Sequence, residues 1–117
     1  MAYEISLAVQ LNFNKGGASV AASKNGIFDV TGDRYNAKVL NIGNVAELIA
    51  LDDMTTVGFV LIKNLDATNF ITVGDDGTNF PVKILPEEFA LFRLNANTLY
   101  MIADTAACEV EVTMVEE

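Results

Sequence analysis

Near its start the chain alternates strictly: Ile5, Leu7, Val9, Leu11 and Phe13 interleave with Glu4, Ser6, Ala8, Gln10 and Asn12. A period of two over this length predicts one long β-strand with a single buried face. Its length and position also suit an arm, residues 3–14, that pairs with a neighbouring subunit. Residues 14–26 are rich in Gly, Ala, Ser, Lys and Asn and include the pairs Gly16-Gly17 and Asn25-Gly26. Such a composition buries little, so it predicts a loop or a weak hairpin, with residues 15–26 flexible unless a partner orders them.

Short apolar runs follow, separated by turn residues. Residues 27–30 read as a short strand, 31–33 as a turn, and 35–42 as a strand with Tyr35, Ala37 and Val39 inward, joined by Leu40 and Ile42. The stretch 44–54 is ambiguous. Asn44 and Glu47 have the spacing of a helix capping box, and Leu48 and Leu51 would share a helical face, whereas Leu48, Ile49 and Leu51 also suit a strand running into Asp52-Asp53. The segment is short, and the strand is favoured. Residues 57–64 and 70–73 carry apolar side chains on both faces, as central strands of a covered sheet do. Strands over 80–85, 88–94, 99–103 and an alternating 108–115 complete the series, with a corner at Pro86-Glu87 and turns at 75–77 and 95–98. Strands at roughly ten-residue spacing, punctuated by Gly, Pro, Asn and Asp, predict an all-β fold, a single-domain antiparallel β-sandwich of about eight to ten short strands over residues 1–117. No linker and no exact repeat interrupts it.

Composition adds constraints. The 117 residues are 51% hydrophobic, more than so small a body is expected to hide, which points to burial between subunits. Seven basic against sixteen acidic residues, net −9, disfavour nucleic acid and anionic membranes as partners. No apolar run approaches the roughly 20 residues of a membrane helix, and the first residues lack the pattern of a signal peptide, so the chain is expected to stay where it is made. The single Cys108 alternates with Val110 and Val112 and reads as a small buried hydrophobe.

Candidate chemistry is sparse. Without histidine, neither a Ser-His-Asp nor a Cys-His constellation can form, and no glycine-rich phosphate loop follows Gly16-Gly17. The acidic pairs Asp52-Asp53, Asp75-Asp76 and Glu87-Glu88 are adjacent in sequence at turns, where solvated carboxylates are expected rather than a glycosidase pair. Asp75-Asp76-Gly77-Thr78-Asn79 comes nearest to a calcium loop but lacks its pattern, and reads as a turn in which Gly77 supplies a positive φ. No catalytic residue, metal or cofactor is expected. In residues 64–69 the polar side chains are suited to bonding their own loop. Arg93 is expected to lay its stem over the core edge or to pair with a carboxylate such as Glu88, and the seven phenylalanines, Phe13, Phe28, Phe59, Phe70, Phe80, Phe89 and Phe92, to pack in the core.

Residues 58–74, with the run Gly58-Phe59-Val60-Leu61-Ile62-Lys63-Asn64-Leu65-Asp66-Ala67-Thr68-Asn69-Phe70, and residues 84–94, with Leu85-Pro86-Glu87-Glu88-Phe89-Ala90-Leu91-Phe92-Arg93, resemble a pattern in small structural proteins of tailed bacteriophages. Residues 41–51 are similar to the segment that precedes it there. Glu87 stands where that pattern commonly has glycine, a departure that points to a different turn type. The resemblance, over roughly the last two thirds of the chain, implies a jelly-roll-like sandwich and a virion component assembled in the host cytoplasm. It implies no catalytic residues. A head decoration or cement protein is expected, a homotrimer bound to the major capsid protein, with Tyr3, Ile5, Leu7, Val9, Leu11 and Phe13 reaching the neighbours. The alternative is a tail or fibre module whose loop tips, Asp66, Thr68, Asn69, Asp75, Asp76 and Asn79, contact a host receptor or glycan.

Overall fold

The computed structural model describes residues 4–95 and 97–117. Among these the protein is all-β, with ten strands and no helix. The chain divides into two compact units, residues 1–31 and 32–117.

The first unit is a two-stranded antiparallel ribbon. β1 (Ile5–Lys15) and β2 (Ala18–Phe28) pair in unbroken register from Ile5 opposite Phe28 to Lys15 opposite Ala18. Of the loop or weak hairpin expected over residues 14–26 the hairpin is what forms, its second strand continuing through Ile27 and Phe28 of the short strand expected at 27–30. Gly16 and Gly17 make the two-residue connection, with φ of 60° and 86°. Positive φ at both central residues is the type I′ turn, whose twist matches that of the strands it joins, and glycine adopts it without cost.

The second unit is a β-sandwich of two four-stranded sheets. Its strands are β3 (Tyr35–Ile42), β4 (Glu47–Leu48), β5 (Val57–Asn64), β6 (Ile71–Gly74), β7 (Val82–Ile84), β8 (Phe89–Arg93), β9 (Tyr100–Ala103) and β10 (Cys108–Glu116). One sheet runs β3-β10-β5-β8 and the other β4-β9-β6-β7, every pair antiparallel. Pairs β6-β7, β5-β8, β4-β9 and β3-β10 are nested about the β6–β7 connection and fall alternately in the two sheets. A long hairpin rolled up so that successive rungs alternate between layers is the jelly roll. In the ambiguous stretch β4 is a strand of two residues, extended by the Ile49 amide donating to the Leu99 carbonyl at 2.8 Å. The Glu47 carboxylate accepts from the Gly43 amide at 2.6 Å, one residue before the Asn44 amide that a capping box would use, and no helix follows.

The core is aliphatic. Ile42, Val60, Ile62, Ile71, Val73, Ile84, Leu99, Met101, Cys108, Val110, Val112 and Met114 are almost wholly buried between the sheets. No phenylalanine is fully buried, contrary to expectation: Phe92 packs against the core from its margin, while Phe13, Phe28 and Phe89 are exposed. The phase expected for β3 is reversed at Tyr35, Ala37 and Val39, whereas Leu40 and Ile42 turn to the core as expected. β10 turns Val110, Val112 and Met114 inward, and register places Leu40, Lys38 and Asn36 beside them, so Tyr35 and Val39 face out. Asn36 and Lys38 can occupy the inner side because the Asp52 carboxylate meets both, accepting from Asn36 Nδ2 at 2.8 Å and from Lys38 Nζ at 3.3 Å.

Candidate interaction surfaces

The register of the ribbon sorts its side chains by chemistry. Ile5, Leu7, Val9, Leu11 and Phe13 lie opposite Phe28, Gly26, Lys24, Ala22 and Val20, and cross-strand partners share a face. The other face carries Ser6, Ala8, Gln10, Asn12 and Asn14 opposite Ile27, Asn25, Ser23, Ala21 and Ser19. The Phe28 ring lies across Gly26, where a Cβ would meet Cζ at 2.8 Å. One long face is thus apolar and the other largely polar. That apolar face is not buried as the alternation predicts: Ile5 and Leu7 are half-buried, but Val9, Leu11 and Phe13 are exposed, Leu11 at 64%. Tyr3 lies outside the described residues. The signal for the missing half of this surface was Gly16-Gly17 between two runs of strand length, a hairpin spacing.

A second apolar surface covers the outer face of the β3-β10-β5-β8 sheet. Rows run Ala37, Thr113, Leu61, Leu91 and Val39, Glu111, Lys63, Phe89 across its four strands. Tyr35, Val39 and Phe89 are exposed at 73%, 55% and 69%. The apolar residues on both faces of β5 predicted a covered sheet, but here Leu61 is exposed. Between the strands lies a shallow depression of ≈ 230 Å³ lined by Leu61, Lys63, Phe89, Glu111 and Thr113. Arg93 stacks on Phe59 at 4.5 Å from the ring centroid and pairs with a carboxylate, that of Glu117 at 3.5 Å rather than Glu88.

The loop tips are built differently. Asp66 accepts from the amides of Thr68 and Asn69 and the hydroxyl of Thr68, and Asp76 does the same for Thr78 and Asn79. The identical bonds follow from an Asp-x-Thr-Asn-Phe repeat, at 66–70 and 76–80, that pattern reading overlooked. Amides of Asn69 and Thr68 hold the Asp66 carboxyl below its ordinary value, and amides of Thr78 and Asn79 do so for Asp76. Gly77 has no positive φ, contrary to expectation; the Asp76 carboxylate secures this turn instead. The two loops flank β6 at opposite ends, so Asp66, Thr68 and Asn69 are not brought together with Asp75, Asp76 and Asn79. Of these side chains, the Asp66 and Asp76 carboxylates are spent on their own loops.

Beneath the first loop Asn64 is fully buried. Its Nδ2 donates to the carbonyls of Asn69 at 2.9 Å and Ile84 at 3.2 Å, and its Oδ1 accepts from the Asp66 amide at 2.9 Å. Cys108 is buried beside the same Asn69 carbonyl, and burial, with Asp66 and Asp104 nearby, pushes its thiol up. Such a thiol is a poor nucleophile. At the acidic pairs, Asp52 holds Asn36 and Lys38, Asp76 its own turn, and Glu88 the Leu85 amide. Among the described residues no group of three or more Cys, Asp or Glu side chains is placed to hold a metal ion. Compared with known proteins, the chain matches no family model, no curated protein and no solved structure.

Proposed function

We propose that this chain is a non-enzymatic structural protein of a tailed-bacteriophage virion, a decoration or cement protein that binds the head shell and stabilises it through contacts with the major capsid protein and with copies of itself. The observation that carries this reading is the ribbon. Eleven paired rungs extend roughly 35 Å at about 3.3 Å per residue, and one face is apolar along that length and largely open to solvent. A two-stranded ribbon is marginal in water by itself, so such a face is accounted for by a neighbour that covers it. The jelly roll supports the reading only at the level of fold, since that architecture serves capsids, lectins and enzymes alike. The host-receptor alternative has less support, because the carboxylates of Asp66 and Asp76 at the loop tips are engaged by their own loops.

The test is to add the purified protein to heads that lack it and to image the particles by cryo-electron microscopy. The expected result is density on the head lattice, lost when Leu11 and Phe13 are both replaced by glutamate. Density confined to the tail tip, or no binding to particles, overturns the proposal.

A further inference from the structure

Two apolar surfaces, one on each compact unit, lie uncovered in the same polypeptide. We infer that the apolar face of the ribbon in one copy docks on the outer face of the β3-β10-β5-β8 sheet in a second copy of this chain. The inference rests on the assembly reading above and names the neighbour that the ribbon reaches.

Charge favours this pairing over ribbon against ribbon. Strands β1 and β2 contain two charged residues, Lys15 and Lys24, no acidic one, and both lysines stand on the apolar face, Lys24 opposite Val9 and Lys15 opposite Ala18. In residues 1–31 these lysines balance Glu4 and Asp29, so the whole net −9 resides in residues 32–117. The sheet face presents Glu109 and Glu111 from β10, an interior strand, with Glu111 between Val39 and Lys63. Neither these glutamates nor the two lysines form an ion pair among the described residues. Ribbon against ribbon would set lysines against lysines, whereas the sheet face, on which Lys63 and the Glu117-paired Arg93 also stand, offers those lysines Glu109 and Glu111. Ribbon against sheet joins opposite charges across apolar ground.

Shape agrees with charge. The depression between Leu61, Lys63, Phe89, Glu111 and Thr113 has room for an aromatic side chain such as Phe13, which stands exposed on the ribbon. Each copy offers one ribbon and one sheet face, so the contact is head-to-tail and closes into a ring where the rotation allows.

The experiment uses the purified full-length chain without heads, measured by size-exclusion chromatography with light scattering over a concentration series. Wild type is expected to associate. Leu11→Glu on the ribbon and Leu61→Glu on the sheet are each expected to weaken association at least tenfold, with unchanged strand signal in circular dichroism, since both side chains are exposed. Mixing the two variants should yield a heterodimer, because one intact ribbon then meets one intact sheet face. Lys24→Glu should weaken association and Glu111→Lys, added to it, should restore it. A wild type that stays monomeric, an L61E variant that associates like wild type, or a mixture that forms no complex overturns the inference. Binding to heads, scored on the same variants, separates the two proposals: head binding without self-association removes this contact alone, and self-association without head binding removes the decoration role alone.

Discussion

Asn64 joins three segments of the sandwich through one buried amide, and its replacement shows what a satisfied polar group in a core is worth. Asn64→Ala strands two carbonyls and one amide, and each buried group left without a partner costs about 1–3 kcal/mol. With partial relaxation, urea unfolding should show a loss of about 2–4 kcal/mol. A loss below about 1 kcal/mol would mean that water replaces the amide. Glu87 makes the opposite case. The Glu88 amide donates to Leu85 at 3.0 Å, proline occupies the first central position and Glu87 has φ of 67°, so the corner is a type II turn in spite of the missing glycine. The departure altered the residue and left the backbone as glycine would have it. Glu87→Gly should therefore stabilise by about 0.5–1 kcal/mol, the strain relieved exceeding the entropy added to the unfolded chain. Carboxylates set the pH response. Asp52, Asp66, Asp76 and Glu116 all titrate below their ordinary values of 3.8 and 4.5, held by Asn36, by loop amides and, for Glu116, chiefly by the Thr55 amide. A depressed folded-state pKa stabilises the fold above the unfolded value, and that contribution is lost as pH falls through it. Thermal midpoints should hold above about pH 5 and drop between the ordinary values and the lower folded ones. Asp76→Asn should flatten that acid limb, and an unchanged slope would show that the loop bonds contribute nothing.

At the scale of elements, pairing and close approach decide stability. β5 and β10 are each paired on both sides, whereas the ribbon has two open edges. Amide exchange in dilute protein should be slowest in β5 and β10 and fastest in β1 and β2, and ribbon protection should rise with concentration as copies associate. Protection of the ribbon that is equal to β10 and independent of concentration would contradict this. β6 ends on Gly74, where an added Cβ would collide with the Asn79 carbonyl of its own hairpin. Gly74→Ala must push that backbone away, at a cost of about 1–3 kcal/mol in chemical denaturation. Both effects depend on neighbours distant from the strand in sequence or across a loop. Pattern located most strands, and apolar residues on both faces marked β5 and β6 as interior, but it could not fix which face of an edge strand such as β3 turns to the core.

At the scale of the whole molecule, the fully buried aliphatic side chains among the described residues all lie in 32–117, so the jelly roll contains its own core. Deleting residues 1–31 should leave strand content and one cooperative thermal transition intact; loss of cooperativity would show that the ribbon completes the core. The same deletion should abolish self-association, because it removes one of the two faces that meet.

The alternation, the turn residues and the absence of histidine were sufficient for an all-β sandwich without a His-based catalytic centre, because periodicity and residue inventory are local properties. The aliphatic core, the nested strand order and the gathering of Val39, Leu61 and Phe89 on one face are not local. They follow from register between strands far apart in the chain, and a one-residue change in register sends every side chain to the opposite face. Ile5 to Phe13 were legible as an apolar stripe, but that the stripe lies open beside Lys24 and Phe28, instead of closing a core, was decided by the strand that pairs with it.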